Sequence, residues 1–295
     1  MDSRKDRSRS KEETWNRMKL REVISRSTDY LSDVSSTPRL EAELIVAHSV
    51  GKDRLWLYMN MDSNIEEVQL ERIRKMLKSR KKGEPIHFLL GFKEFMTLKF
   101  KVEKGVFIPR FETEELVEKV VLISREMGYK KFLDLGTGVG TIAISIAKFV
   151  DGSSVLAVDK SEKALELAEK NAKLNNINNI SLHMGDMVEF LRKVDDGDFE
   201  VLVSNPPYLS ESEWEDLEPG IKEYEPKEAF VAGKDGMRYY RMIVETVVNF
   251  ERKKVFLEIS PPRKEGVVKL MEEFGLDYEI WDDLSGKPRI LFFET

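Results

Sequence analysis

From about Glu114 onward the chain alternates short apolar runs with helical stretches, and this alternation restricts the fold more than any other feature. The runs read KFLDL, SVLAVD, ISLHM, FEVLVS and KVFLEIS, then YEIWDD and RILFFE. Helical segments separate the first five, which is the pattern of a mostly parallel sheet with helices on both faces. Only the loop LSGKP separates the last two, so we expect them to form an antiparallel hairpin at the end of an α/β sheet of seven strands.

The front of the chain has a different rhythm. Apolar Met18, Val23, Ile24 and Leu31 mark one helical stripe. STPRLEAELIVAHSVG predicts a second helix, capped by Ser36 or Thr37, with Pro38 in its first turn, Gly51 at its end, and Leu40, Leu44, Ile45 and His48 on one face. Ile65, Val68, Leu70, Ile73 and Leu77 predict a third, ended by Gly83. Met96, Leu98, Phe100 and Val102 alternate as in a strand, with Lys104-Gly105 expected to turn into a second strand through Val106. We therefore expect a disordered tail over 1–17, a helical domain over 18–91, a β-hairpin linker over 92–111 and the sheet domain over 112–295.

Composition excludes several classes. There is no cysteine, so neither a disulfide framework nor a thiolate metal site is available. The three histidines, His48, His87 and His183, form no metal-spaced pair, and no metal site is expected. No apolar run approaches the length of a membrane span. The start, MDSRKDRSRSKEE, has no apolar core of a secretory signal, so we expect a cytoplasmic protein without membrane partners. Residues 1–110 carry a charge of about +7 and residues 111–295 about −13. A basic front half suits an acidic or nucleic-acid-containing partner, although an asymmetric solvated surface explains it equally.

The first strand runs into DLGTGVG. Gly136, Gly138 and Gly140 let the backbone turn tightly and approach a ligand closely. The helix expected from about Val139 would aim its free N–H groups at that ligand. The second strand ends at Asp159, 19 residues after Gly140, where a carboxylate can accept both hydroxyls of a ribose or else cap the next helix, a task Ser161 can also perform. The Gly-x-Gly-x-Gly spacing differs from the dinucleotide pattern and suits S-adenosylmethionine better. After the third strand, Asp186 can accept from an adenine amino group and Met187 can pack on the ring; a turn-forming Asp after glycine is the plainer reading.

The fourth strand delivers Asn205-Pro206-Pro207-Tyr208 to the same sheet edge, where ligands of open α/β sheets bind. The Asn205 side-chain oxygen and the Pro206 carbonyl are two acceptors that can orient one planar NH2 group. The prolines stiffen the corner, and Tyr208 offers a ring face for stacking.

The pairing of DLGTGVG with NPPY resembles the S-adenosylmethionine-dependent amino-methyltransferases. Further stretches, GEPIHFLLGFKEF, FIPRFETEELV, EPKEAFVAGKDGMRYYR and RLEAELIVAHSVGKDR, are similar to the HemK family, the release-factor glutamine methyltransferases. The resemblance covers nearly the whole chain and departs at Phe111, where the family more often has proline. It implies a Rossmann-like methyltransferase sheet whose last strand is antiparallel. It implies transfer of a methyl group from S-adenosylmethionine to the side-chain amide nitrogen of a glutamine, leaving S-adenosylhomocysteine. A peptide chain release factor, free or ribosome-bound, would be the substrate, with the front domain helping to recognise it.

On this reading Asn205, Pro206 and Tyr208 are catalytic, and Asn205, Pro206, Pro207 and Tyr208 hold the substrate. Gly136, Thr137, Gly138, Val139, Gly140, Asp159, Asp186, Met187 and Asn205 hold the cofactor, and Phe100, Arg110, Thr113 and Glu114 border it. No general base is assigned; Asp134 and Glu112 are acidic residues expected nearby. Two rivals remain at the level of sequence. One is an adenine methyltransferase acting on nucleic acid, disfavoured by the acidic catalytic half, so no direct DNA binding is expected. The other is a module that binds the cofactor without catalysis.

Overall fold

The computed structural model describes residues 18–295; the tail expected over 1–17 lies outside the described residues. The described residues divide into two compact units, one ending at Gly91 and one spanning Phe92–Thr295. In the first, helices α1 (Leu20–Leu31), α2 (Pro38–Val50), α3 (Arg54–Met59), α4 (Glu67–Lys81) and α5 (Ile86–Leu90) enclose a core that includes Ile24, Leu31, Ile45, Leu57 and Ile73.

Helix α2 buries a different face from the one its apolar residues suggested. Leu40 and His48 are exposed, whereas Ala42, Ile45, Val46 and Ser49 are buried together with Glu41 and Glu43. The reason is charge pairing. Glu43 accepts from Arg39 Nε at 2.5 Å, Arg54 Nη2 at 2.8 Å and the Tyr58 hydroxyl at 2.8 Å. Burial pushes its carboxyl up, but these donors outweigh it and hold it below the usual range. Glu41 accepts from Arg80 Nε at 2.7 Å, tying α2 to α4. Thr37 occupies the cap position of α2 without a side-chain bond, and Gly51 ends the helix at φ 68°.

The second unit opens with a hairpin of β1 (Phe92–Phe95) and β2 (Leu98–Lys101). Its turn is Met96-Thr97, both with positive φ (46° and 68°), not Lys104-Gly105 as the alternation suggested, and no strand runs through Val106. Phe95 and Phe100 pack edge to face, 6.0 Å between centroids, in the core of this unit.

There follow α6 (Glu112–Met127), β3 (Lys131–Leu135), α7 (Thr141–Phe149), β4 (Ser154–Asp159), α8 (Glu162–Leu174), β5 (Ile180–Met184), α9 (Met187–Leu191) and β6 (Val201–Ser204). The chain continues with α10 (Glu211–Glu215), α11 (Pro219–Tyr224), α12 (Arg238–Val247), β7 (Lys254–Glu258), α13 (Lys264–Phe274), β8 (Tyr278–Asp282) and β9 (Pro288–Glu294). The seven-stranded sheet has the order β5-β4-β3-β6-β7-β9-β8, with β9 antiparallel to both its neighbours and the other pairings parallel.

Successive residues of the central strands feed opposite faces, as the period of two requires. Phe132, Val201, Val203 and Phe256 join a core with residues of α6, α7 and the hairpin. Leu133, Leu202, Val255 and Leu257 join another with residues of α12 and α13. Both faces are therefore apolar, which is why these strands read as near-continuous hydrophobic runs. Among the described residues no helix is long and apolar enough to cross a membrane.

Two positive φ values suit a two-residue hairpin loop, but Asn-Gly is the natural pair there and a β-branched threonine is strained. Thr97 is exposed. Thr97→Gly is expected to stabilise the protein by about 1 kcal/mol, read as a higher urea midpoint; an unchanged or lower midpoint contradicts the strain.

Candidate functional site

The C-terminal ends of β3, β4, β5 and β6 open on a cavity of about 380 Å³ within the second unit. Gly136 and Thr137 leave β3 by donating both backbone N–H groups to the Val158 carbonyl, at 2.8 and 2.9 Å. The next amide, Gly138 N–H, donates to Asp159 Oδ2 at 2.8 Å. Gly136, Gly138 and Gly140 all have positive φ (76°, 56° and 87°). Gly136, Thr137, Gly138 and Val139 line the cavity. A Cβ on Gly138 would meet no atom within 4 Å, so its backbone faces open volume. Gly140 serves packing instead: a Cβ there would lie 2.8 Å from Ile144 Cδ1 and 3.1 Å from Ala168 Cβ.

Asp159 lines the cavity, and each of its oxygens accepts one backbone N–H, from Gly138 and from Ser161 at 2.8 Å. Burial raises its carboxyl, and these two amides oppose the rise. The cap of α8 is Ser161, which accepts from Ala164 N–H at 3.2 Å. Asp159 is thus held rigidly with lone pairs still free. Asp186 both lines the cavity and caps α9, accepting from Val188 and Glu189 N–H at 2.9 and 3.2 Å through Oδ1. Met187 lines the wall beside Gly136, its Cε 3.1 Å from where a Cβ of that glycine would stand.

Asn205, Pro207 and Tyr208 line the opposite side, while Pro206 is buried and does not. Asn205 Nδ2 donates to Thr113 Oγ1 at 3.0 Å. Neither the Asn205 side-chain oxygen nor the Pro206 carbonyl accepts from a donor among the described residues. Burial raises the Tyr208 phenol above its ordinary range, so it stays neutral.

Of the bordering residues expected from sequence, Thr113 lines the cavity, and Phe100, Arg110 and Glu114 do not. Phe100 is fully buried in the core, and the wall carries its hairpin neighbour Phe95 instead. Arg110 acts one layer out. Its Nη2 donates to Glu225 Oε1 at 2.7 Å, and its guanidinium lies over the rings of Phe107 and Phe230, 4.7 and 5.9 Å from their centroids. Those two rings meet at 5.2 Å and line the cavity with Pro109, Pro226 and Tyr239. Sequence reasoning missed this aromatic wall, because all of these residues but Tyr239 come from segments without regular periodicity.

Beneath the loop, Asp134 is fully buried and its Oδ2 accepts from Ala143 N–H at 3.1 Å, in the first turn of α7. Burial raises its carboxyl to about 7. Among the described residues, no group of three or more His, Cys, Asp or Glu is placed to hold a metal ion.

Asp134 has a definite linkage to pH. Its folded-state value is raised, so the folded protein keeps a proton that the unfolded chain releases, and stability falls as pH rises from about 4 to about 7. Asp134→Asn keeps an acceptor for Ala143 and should remove up to about 1.4 kcal/mol per pH unit of that slope. Urea denaturation across this range checks it; identical slopes in both proteins contradict it.

Two family descriptions match the chain: PrmC N-terminal domain over residues 22–91 and Methyltransferase small domain over residues 100–217. The chain is similar to the release factor glutamine methyltransferase of Thermodesulfovibrio yellowstonii, 35% identical over 285 residues, covering 94% of this chain and 96% of that one. It is similar to the protein of the same name from Rhodopirellula baltica, 34% identical over 293 residues, 96% of this chain and 97% of the other. In fold it is similar to the catalytic domain of hMettl16, solved in complex with MAT2A 3'UTR hairpin 6, with a TM-score of 0.53 at 13% identity, covering 76% of this chain and 81% of that one. Matched over nearly its full length at about a third identity, the chain belongs to the release factor glutamine methyltransferase family.

Proposed function

We propose that this protein uses S-adenosylmethionine to methylate the side-chain amide nitrogen of a glutamine in a peptide chain release factor. The observation that carries the chemistry is the Asn205 corner: a side-chain amide anchored by its nitrogen, with its oxygen left free at the wall of the cavity. The choice of release factor rests on family membership.

The residues present fit the cofactor. Asp159 is a preorganised carboxylate suited to two ribose hydroxyls, Asp186 has lone pairs to spare for an amino group, and Gly138 leaves room for close approach of the backbone. When bound, S-adenosylmethionine supplies an electrophilic sulfonium methyl group and leaves as S-adenosylhomocysteine.

An amide nitrogen is a weak nucleophile because its lone pair is delocalised into the carbonyl. Asn205 Oδ1 would accept one of its hydrogens and fix its orientation, and Tyr208 would offer the plane on which the amide rests. This is positioning with electrostatic preorganisation, and the Asn205 amide is already anchored on Thr113 before substrate arrives. No strong base is needed before attack, since the nitrogen becomes acidic as it gains the methyl group and then releases one proton to water. A reaction on release factors, free or ribosome-bound, would put the protein in the cytoplasm.

Two substitutions separate the roles. Asn205→Ala should lower kcat on a release factor by about a hundredfold or more while leaving cofactor affinity within about threefold of wild type. Asp159→Ala should weaken cofactor binding by about tenfold or more, measured by calorimetry. Labelled S-adenosylmethionine offered with either a release factor or an adenine-containing oligonucleotide should mark only the protein. Normal turnover by Asn205→Ala, or label on the oligonucleotide, overturns the reading.

A further inference from the structure

Glu258 ends β7, a strand whose preceding residues Val255, Phe256 and Leu257 are wholly buried and apolar. It is only 1% exposed. Its Oε2 accepts the Thr113 hydroxyl at 2.6 Å, and the same hydroxyl oxygen accepts Asn205 Nδ2 at 3.0 Å. Thr113 lies in the first turn of α6 and is itself 5% exposed. Residues far apart in sequence thus form one hydrogen-bonded line that ends at the substrate corner.

The direction of that line is fixed by counting protons. A threonine hydroxyl has one hydrogen and two lone pairs, and an ionised carboxylate only accepts. Once Thr113 donates to Glu258, it can only accept from Asn205. Asn205 must then turn its NH2 toward Thr113 and keep its oxygen for the cavity. The reversed amide would set its oxygen against a hydroxyl lone pair and its NH2 against the hydrogens of the substrate nitrogen.

We propose that Glu258 is a positioning residue for methyl transfer, acting through Thr113 to dictate which end of the Asn205 amide faces the substrate. This rests on the reading of Asn205 as the group that holds the acceptor nitrogen.

The charge of Glu258 then matters. Burial raises its carboxyl to about 7, against the Thr113 hydrogen bond and Arg289. The other groups that face it are Glu112, Arg110 and the phenols of Tyr208 and Tyr240, whose acidity burial lowers further. A neutral Glu258 can donate to Thr113, which frees the threonine proton to turn toward Asn205 and reverse the amide. The methyl-transfer rate is therefore expected to fall as pH drops through about 7.

The test measures single-turnover and steady-state transfer to a release factor with the full chain. Thr113→Val should lower kcat by about 10- to 100-fold with KM unchanged, and Thr113→Ser should recover most of the loss. Glu258→Gln, which does not titrate and offers Thr113 either end of an amide, should be slower and should lose the acid limb, while Glu112→Gln keeps it. A wild-type kcat in Thr113→Val, no recovery in Thr113→Ser, or an acid limb retained by Glu258→Gln overturns the proposal. Should Glu258→Gln not fold, the Thr113 pair alone decides. If Asn205→Ala is inactive and Thr113→Val fully active, the relay alone is wrong; if Asn205→Ala turns over normally, the reading of the corner itself fails.

Discussion

The site exists because the parallel register stops its strands together. Leu135 pairs with Val158 on one side and Ser204 on the other, so β3, β4 and β6 end at one level. The Val158 carbonyl then takes the N–H groups of both Gly136 and Thr137, and the Ser204 hydroxyl donates to the Leu135 carbonyl at 2.6 Å. Gly185 N–H donates to the Asp159 carbonyl at 3.0 Å and brings β5 to the same edge. Whatever follows each strand must leave the sheet into one cavity. A glycine loop, two carboxylates and a rigid acceptor corner therefore meet without being near in sequence.

Buried charge is the cost of that arrangement. Asp134 and Glu258 lie fully inside, and burial raises both carboxyls to about 7. Each destabilises the folded protein at neutral pH relative to acid, and each holds something the apolar core cannot: the first turn of α7 or the Thr113 hydroxyl. Asp159 is buried less completely and is matched by two backbone amides, which leaves it lone pairs at the cavity wall. Buried polar groups with partners are costly to lose, so these contacts specify the geometry even where they add little net stability.

The sheet was legible from sequence because strands apolar on both faces leave an unmistakable pattern, and the glycine loop and NPPY corner sit where strand ends are easy to place. Less visible were features governed by pairing across long separations. Helix α2 exposes Leu40 and buries Glu41 and Glu43, since Arg80 and Arg54 reach them from elsewhere in the bundle. The hairpin turns at Met96-Thr97, residues with no turn chemistry, because register and the packing of Phe95 and Phe100 fix it there. Both rings therefore face the core, and Phe95 also reaches the cavity wall. Glu258 carried one faint signal, a lone carboxylate closing an apolar strand, but nothing in the sequence pairs it with Thr113 or Asn205.

The central claim is the identity of the acceptor atom. Tandem mass spectrometry of a release factor incubated with this protein and S-adenosylmethionine tests it most directly. The account predicts one added methyl group on the side-chain amide nitrogen of a glutamine, absent when Asn205→Ala replaces the wild type. A methyl group on any other residue, or on glutamine at equal yield with Asn205→Ala, contradicts it.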